Sequence, residues 1–478
     1  MALADGQWAI FVFHLRSYLL PVFFASLLLA VPTPIVAPWL LLPFVSLLGL
    51  IASGPLLFPH FWERNYARIA VALGLLMLLY YGLARHDWHM AMETLAEYFS
   101  FVMLLGALYV VGGTMYLNIG LQGTPQRNVI LLVIGAVLAS LIGTTGASLV
   151  LIRPFIRLND ERIKPYHIVF FIFIVSNVGG LLTPLGDPPL FIGFLRGVPF
   201  IWTAFHLALP WVMANGLLLL IFWLIDRRTP YPSRFSREER EHIRREGQLP
   251  LLEFHGRYNL IWLAVVLISV FMDPQQFRWI PTLHIAGVHV SFVREAVQLL
   301  AAWGCYRTAT RRAITGNHFT FGPIYEVAFL FFGIFLTMMP ALQLAARAAA
   351  DPAVATRLTP AVLYWVTGLL SAFLDNAPTY ASLVSLSMAG HELDFSKVAS
   401  VAAFAHDPAT MPLLRAISSG AVLFGGLTYI GNGPNFLVRS IARDEGIDMP
   451  VFFQYIFRYS LVYLLPVLAL VSGLLYWL

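Results

Sequence analysis

Apolar stretches of about twenty residues recur from one end of this chain to the other, and each is long enough to cross a hydrocarbon layer about 30 Å thick. Their density is the strongest constraint on the fold. Of the 478 residues, 59% are hydrophobic and only 12% carry a formal charge, against roughly 25% charged in a soluble domain. Most of the chain therefore has no water to face, and the expected fold is an all-α polytopic membrane protein. The one polar stretch of any size, residues 226–255, is too short for a soluble domain, which argues against a fused enzyme. The single cysteine, Cys305, excludes an intramolecular disulfide and a thiolate metal cluster. No phosphate-binding Walker motif is present, so ATP is not the expected energy source, and no cofactor is expected. The net charge of +5 fits basic cytoplasmic loops and does not indicate nucleic-acid binding.

Lys and Arg in short loops mark the cytoplasmic side. The densest basic loop spans residues 226–257, with Arg227, Arg228, Arg234, Arg237, Arg240, Arg244, Arg245 and Arg257. Placing it inside orients the rest. Residues 38–58, 66–83 and 98–117 read as three crossings. Residues 128–158 have Arg127 before them and Arg157 near their end, so both ends favour the cytoplasm. A re-entrant hairpin with its tip at Gly143-Thr144-Thr145-Gly146 meets that requirement, provided the irregular tip is buried or lines a cavity. Residues 165–200 read as a helix broken at residues 183–189, and residues 203–225 as a crossing.

The series then recurs. Crossings at 260–272, 292–305 and 325–345 precede a second hairpin, 359–388, interrupted at Leu374-Asp375-Asn376-Ala377-Pro378. A second broken helix, 412–442, is interrupted at Gly431-Asn432-Gly433-Pro434, and a final crossing starts at Val451. The expectation is two inverted repeats, 38–225 and 257–478, joined by a cytoplasmic linker at 226–256. Each repeat has three crossings, a re-entrant hairpin, a broken helix and a final crossing, as in secondary transporters whose sites lie at the breaks. Residues 1–37 hold a short apolar run after Arg16, which reads equally as a signal-peptide core or as an extra first helix.

Residues 183–191 align with residues 428–436. Thr183, Gly186, Pro189 and Phe191 match Thr428, Gly431, Pro434 and Phe436, and Asp187 falls opposite Asn432. Residues 140–148 align more weakly with 371–379, which sets Thr144 and Thr145 against Asp375 and Asn376. Glu97 and Glu326 each open the third helix of a repeat.

A helix broken within the membrane exposes carbonyls at one half-helix end and N–H groups at the other. A charged Asp at mid-membrane costs on the order of 3 kcal/mol. Asp187 and Asp375 at the breaks should therefore be paired with a cation or held protonated by desolvation. A carboxylate with both options suits exchange of H⁺ for Na⁺. Thr144, Thr145, Ser148, Asn376, Thr379 and Asn432 offer neutral oxygens of the kind Na⁺ accepts; Thr145, Asp187, Asp375, Asn376 and Asn432 form the expected Na⁺ set. Asn177, Thr183, Gly186, Thr428, Gly431 and Asn435 complete the expected site. Asp187, Asp375, Glu97 and Glu326 are the candidate proton-coupling groups. Plainer roles compete. Asp187 and Asp375 also stand where helix caps stand, the tip threonines can satisfy backbone, and the two glutamates can serve helix dipoles. Asn177 can act as polar packing between helices. His14, His167, His206 and His406 lie outside the breaks, and Arg153 and Arg196 read as membrane-edge residues.

At Gly143–Ser148, Ser176–Gly180, Thr183–Pro189, Phe373–Thr379 and Thr428–Asn435, the chain resembles the ion-transporter superfamily. The nearest resemblance is to NhaD-type sodium/proton antiporters and the related CitMHS-like "putative citrate transport" group. The resemblance implies two hairpins and two broken helices around a central site, in a homodimer with scaffold and transport regions. The superfamily's dicarboxylate carriers share paired Ser-Asn-Thr tips, which this chain lacks. The expected function is therefore Na⁺/H⁺ antiport in the bacterial inner membrane, with the lipid bilayer and a small cation as partners. The alternative is cation-coupled uptake of citrate or a dicarboxylate. No enzyme activity is expected.

Overall fold

The computed structural model describes residues 37–119, 123–160, 162–229, 252–272, 280–285, 288–317, 319–349, 358–374, 376–395 and 397–476. Residues 1–36, most of the 226–256 linker and Asp375 thus lie outside the described residues.

The described residues are almost entirely helical. A 3-10 turn, Pro38–Leu41, leads into α1, Leu42–Leu57. Pro59, which has no N–H to continue that ladder, starts α2, Pro59–Leu79. Helix α3, Trp88–Gly113, is capped by Asp87, whose side chain accepts from Met90 N at 3.1 Å. The first hairpin is α4, Pro125–Ile142, and α5, Thr144–Leu158. They turn on Gly143 alone, at φ +82°, a conformation that disfavours any side chain. The first broken helix is α6, Pro165–Ile174, a 3-10 turn Val178–Leu182, and α7, Pro188–Arg196. Helix α8, Phe200–Asp226, follows.

In the rest of the chain, α9 is Asn259–Ser269, α10 Val293–Thr308, α11 Arg311–Gly316 and α12 Gly322–Ala349. The second hairpin is α13, Pro360–Ser371, and α14, Asn376–Ala389. Helix α15, Val398–His406, meets α16, Met411–Leu423, at a bend; the direction changes by 99°. A 3-10 turn, Phe424–Leu427, and α17, Gly433–Asp444, complete the second broken helix, and α18, Phe452–Tyr476, is the last span. Two short antiparallel ribbons sit between helices: Tyr116–Ile119 against Leu252–His255, and Leu283–Ile285 against Val288–Val290.

Seven helices among the described residues are long and apolar enough to cross a membrane, or eight if the bent pair α15–α16 counts as one span. Their outer faces are apolar. On α4, Ile130, Ile134, Val137 and Leu141 are exposed at helical spacing, a stripe made for lipid chains. The broken helices lie innermost. The span Pro165–Leu182 has 83% of its residues buried, against 28% of an apolar 18-residue stretch of α8. Around this centre α12 packs on α2 and α3, with Phe101 stacked on Phe331 at 5.0 Å.

Helices, breaks and tips lie near the expected segments, but α1, α9 and α10, expected as crossings, are not among the seven long apolar helices, whereas α4, expected as half of a re-entrant hairpin, is. Four local differences stand out. Glu97 is nine residues inside α3, because Asp87 starts that helix earlier than the apolar run does. Residues 398–406, to which the residue pattern assigns no crossing, form helix α15. Arg153, read as a membrane-edge residue, is buried in the protein and donates from Nε to Asn317 O at 3.1 Å. Asp226 is not a linker residue. It is buried at the end of α8 and accepts from Arg162 Nη2 at 2.5 Å, Tyr166 Oη at 2.7 Å, Asn128 Nδ2 at 2.9 Å and His167 Nε2 at 3.1 Å. Because His167 Nδ1 accepts from Lys164 N, its Nε2 carries the proton. These bonds tie the open end of the first hairpin to α6 and α8. Leaving one partner out would strand a buried charge.

Candidate functional site

The two breaks share one backbone plan. In the first, Thr183 Oγ1 donates to Ser140 O of the first hairpin and accepts from Leu185 N at 3.2 Å. In the second, Thr428 Oγ1 donates to Ala372 O of the second hairpin at 2.5 Å and accepts from Gly431 N at 3.0 Å. Each threonine thus fastens a broken helix to its neighbouring hairpin. The extended segment then crosses the preceding 3-10 turn so closely that only glycine fits. A Cβ on Gly186 would lie 2.0 Å from Gly180 O, and one on Gly431 would lie 2.7 Å from Gly425 O.

These bonds shift the expected alignment of the hairpin tips by one residue. Ser140 corresponds to Ala372, so Thr144 corresponds to Asn376, and these residues open α5 and α14. The weak match between the tips could not register the difference: one residue separates the helices of the first tip, whereas residues 372–375 separate those of the second.

Asp187 stands where the four elements meet. It is 2% exposed, and its side chain makes no cap bond to its own helix α7. Oδ1 instead accepts from Thr144 Oγ1 at 3.0 Å and from Asn432 Nδ2 at 3.0 Å. The Asn376 amide sits beside Oδ2 at 3.4 Å. With its oxygen turned toward Asp187, that amide donates to Gly431 O at 2.6 Å and Ser371 O at 3.1 Å, bonds it lacks in the opposite sense. This orientation satisfies more groups. It also sets an amide oxygen against a carboxylate oxygen, a contact that a proton or a cation between them relieves.

Asn432 likewise makes no cap bond to α17. Its amide is shared among Asp187, Ser176 O at 3.2 Å and Asn177 Oδ1 at 3.3 Å. Asn177 Nδ2 donates to Asn435 Oδ1 at 2.7 Å, and Asn435 Nδ2 donates to Gly425 O at 2.8 Å and Thr428 O at 3.1 Å. An asparagine chain therefore joins the two breaks behind the carboxylate and fills otherwise orphaned helix-end groups.

A cavity of 980 Å³ opens on this junction. Thr144, Thr145, Gly186, Asp187, Asn376, Gly431 and Asn432 line it, as does Glu97. Asn177, Thr183, Thr428 and Asn435 lie behind the wall as supports. Ser148 shares a hydrogen bond with Ser176 at 2.7 Å, and Thr379 is buried on α14 away from the lining. Glu326 is apart from the cavity, accepting from Ser440 Oγ at 2.7 Å with Arg443 3.9 Å away. His167, His206 and His406 do not line it either. No group of three or more His, Cys, Asp or Glu arranged to hold a metal occurs among the described residues. Sequence reasoning missed another part of the wall, where Ser100, Arg294 and Gln298 line the cavity. Its only signal was the pair Arg294-Glu295 just inside an apolar run, which resembles an ordinary membrane edge.

Comparison with known proteins agrees with this architecture. The profile of the family described as "Putative citrate transport" matches residues 34–476. An uncharacterized transporter of Mycobacterium tuberculosis is 28% identical over 334 residues, which cover 68% of this chain and 71% of the relative. A second uncharacterized transporter of that organism is 25% identical over 386 residues, covering 76% and 82%. A 46 kDa membrane protein of Mycobacterium leprae is 27% identical over 346 residues, covering 68% and 71%. With the family profile matched over nearly the whole chain and membrane-spanning helices throughout, this chain belongs to the "Putative citrate transport" family and is a multi-pass plasma-membrane transporter.

Proposed function

We propose that the protein is a secondary transporter in which Asp187 holds a proton and a small monovalent cation in turn, exchanging Na⁺ for H⁺. The observation that carries this reading is the buried Asp187 carboxylate, placed where both breaks and both hairpins meet. Thr144 and Asn376 carry neutral oxygens beside it, of the kind a hard monovalent cation requires. Deprotonated, Asp187 is balanced by the cation; protonated, it is neutral. Both states avoid an uncompensated charge at this depth. The cavity wall favours a cation as well. Its charged lining residues are Glu93, Glu97 and Asp187 against Arg196 and Arg294, and Arg294 is already paired with Glu295 at 2.9 Å. In this reading the two hairpins enter from opposite faces, and the matched breaks are halves of an inverted repeat.

A second reading is cation-coupled uptake of citrate or a related carboxylate. The cavity volume, far larger than a bare ion needs, and the family description favour it. Both are tested in liposomes bearing the purified protein and an imposed pH gradient. Added Na⁺ should collapse the gradient with the parent protein, and folded Asp187→Asn should leave it at the protein-free background. Sodium-driven accumulation of labelled citrate without proton flux would replace the first reading with the second.

A further inference from the structure

In the cavity that Asp187 lines, α3 packs against α10 and forms a polar wall that the Asp187 site does not use. Glu295 and Gln298 lie one turn apart on α10, and each is 1% exposed. Glu295 Oε1 accepts from Ser100 Oγ at 2.5 Å and from Arg294 Nε and Nη2 at 3.0 and 2.9 Å. Its other oxygen, and both polar atoms of the Gln298 side chain, find no partner among the described residues. Ser100, Arg294 and Gln298 all line the cavity. Buried polar atoms are seldom left unpaired in native proteins, and a cluster of them in a cavity wall calls for an ion or ordered water.

We propose that this wall is a second cation subsite, which takes a hydrated monovalent cation between the cavity mouth and Asp187. It rests on the reading of the cavity as a cation path. Gln298 Oε1 and the Ser100 hydroxyl are the oxygens that receive the cation and its waters, with the Glu295 carboxylate behind them supplying negative charge. The Gln298 amide N–H groups need acceptors, which the oxygens of hydrating water provide. Arg294 holds one Glu295 oxygen and offsets part of the carboxylate's charge, so the site holds a cation briefly rather than trapping it. An organic anion fits less well here, because Glu295 lies behind the wall and Glu93 and Glu97 lie on it.

The test separates the two sites. Thermal unfolding of the purified protein is followed in NaCl and in choline chloride at equal ionic strength, in an Asp187→Asn background. That variant should keep a Na⁺-specific rise in Tm, and adding Gln298→Leu should remove it. Gln298→Glu, nearly the same size, should lower the NaCl concentration for half the effect several-fold, and it carries the test if the leucine variant does not fold. Equal Tm in the two salts for Asp187→Asn means that ordered water alone occupies the wall and overturns the subsite. Unchanged Na⁺ response in both Gln298 variants overturns it as well. Failure of the antiport reading shows itself separately, as a Na⁺-specific rise in Tm without proton flux in liposomes.

Discussion

In the first broken helix the chain leaves a 3-10 turn at Thr183, crosses Gly180 at Gly186 and re-enters a helix at Pro188; in the second it does the same at Thr428, Gly425, Gly431 and Gly433. The residues before the second half-helices adopt nearly one conformation, φ −147° and ψ 145° at Asp187 and φ −152° and ψ 139° at Asn432. Their side chains do opposite things. Asp187 accepts, and Asn432 donates to it at 3.0 Å. The backbone that builds a break is thus repeated while the charge is not. Two carboxylates at this spacing could not both ionise, so an amide in one break keeps the acid in the other available to an external proton or cation.

The largest test of this comparison is all or none. Cys305 is buried, so single cysteines can be introduced at the exposed hairpin ends Asp160 and His391. Impermeant reagents should label position 160 from the cytoplasm and position 391 from outside; labelling of both from one side breaks the inverted relation. The next test exchanges the two polar residues. Asp187→Asn with Asn432→Asp should fold and still show only background exchange, because position 432 must also donate to Ser176 O and Asn177 Oδ1. Restored exchange would make the breaks interchangeable. Asn432→Asp alone should move the pH of half-maximal exchange upward. Two neighbouring carboxylates share one proton, which must leave before a cation binds.

The glycine crossings should differ in degree. Gly186→Ala forces the closer clash and should cost about 3 kcal/mol or more of stability, and Gly431→Ala less, read from thermal unfolding. A reversed order would mean that the second break is the tighter one. Thr144→Val removes one bond to Asp187 and should weaken Na⁺ by roughly fivefold, about 1 kcal/mol, in the exchange assay. The smallest effect is expected for Ser148→Ala, whose partner is Ser176 rather than the carboxylate. Its Na⁺ affinity should match the parent's, and a Thr144-sized loss would extend the site one turn deeper.

Much of this layout is legible in the residues. Thr183–Pro189 and Thr428–Pro434 each combine threonine, glycine and proline inside long apolar runs, and helices cannot continue through them. The cavity-facing group at the junction, from Thr144 to Asn432, lies within those motifs and the two hairpin tips. The capping role open to Asp187 is not what the fold uses, because its side chain turns away from α7. Local spacing cannot choose between a cap and a contact with a distant element. Glu97 and Glu326 hold similar positions in the chain pattern, yet only Glu97 reaches the cavity. Asp226 reads as the start of a polar loop, because its partners Asn128, Arg162 and His167 are contributed by other segments.

What the sequence by itself determined is therefore local: apolar length enough for a membrane, the approximate positions of the breaks and tips, and motifs that resemble a transporter superfamily. Each depends on neighbours along the chain, through hydropathy, helix breaking or short patterns. What only the tertiary structure decided is which polar groups meet. Asp187 accepts from Thr144, 43 residues away, and from Asn432, 245 away, and the Asn376 amide, 189 away, sits beside it. The orphaned wall of Glu295 and Gln298 likewise exists only because α10 packs against α3. Periodicity tells a helix which face to bury. Which distant helix covers that face, and which donor then reaches which carboxylate, is settled by packing among segments whose hydropathy is nearly the same.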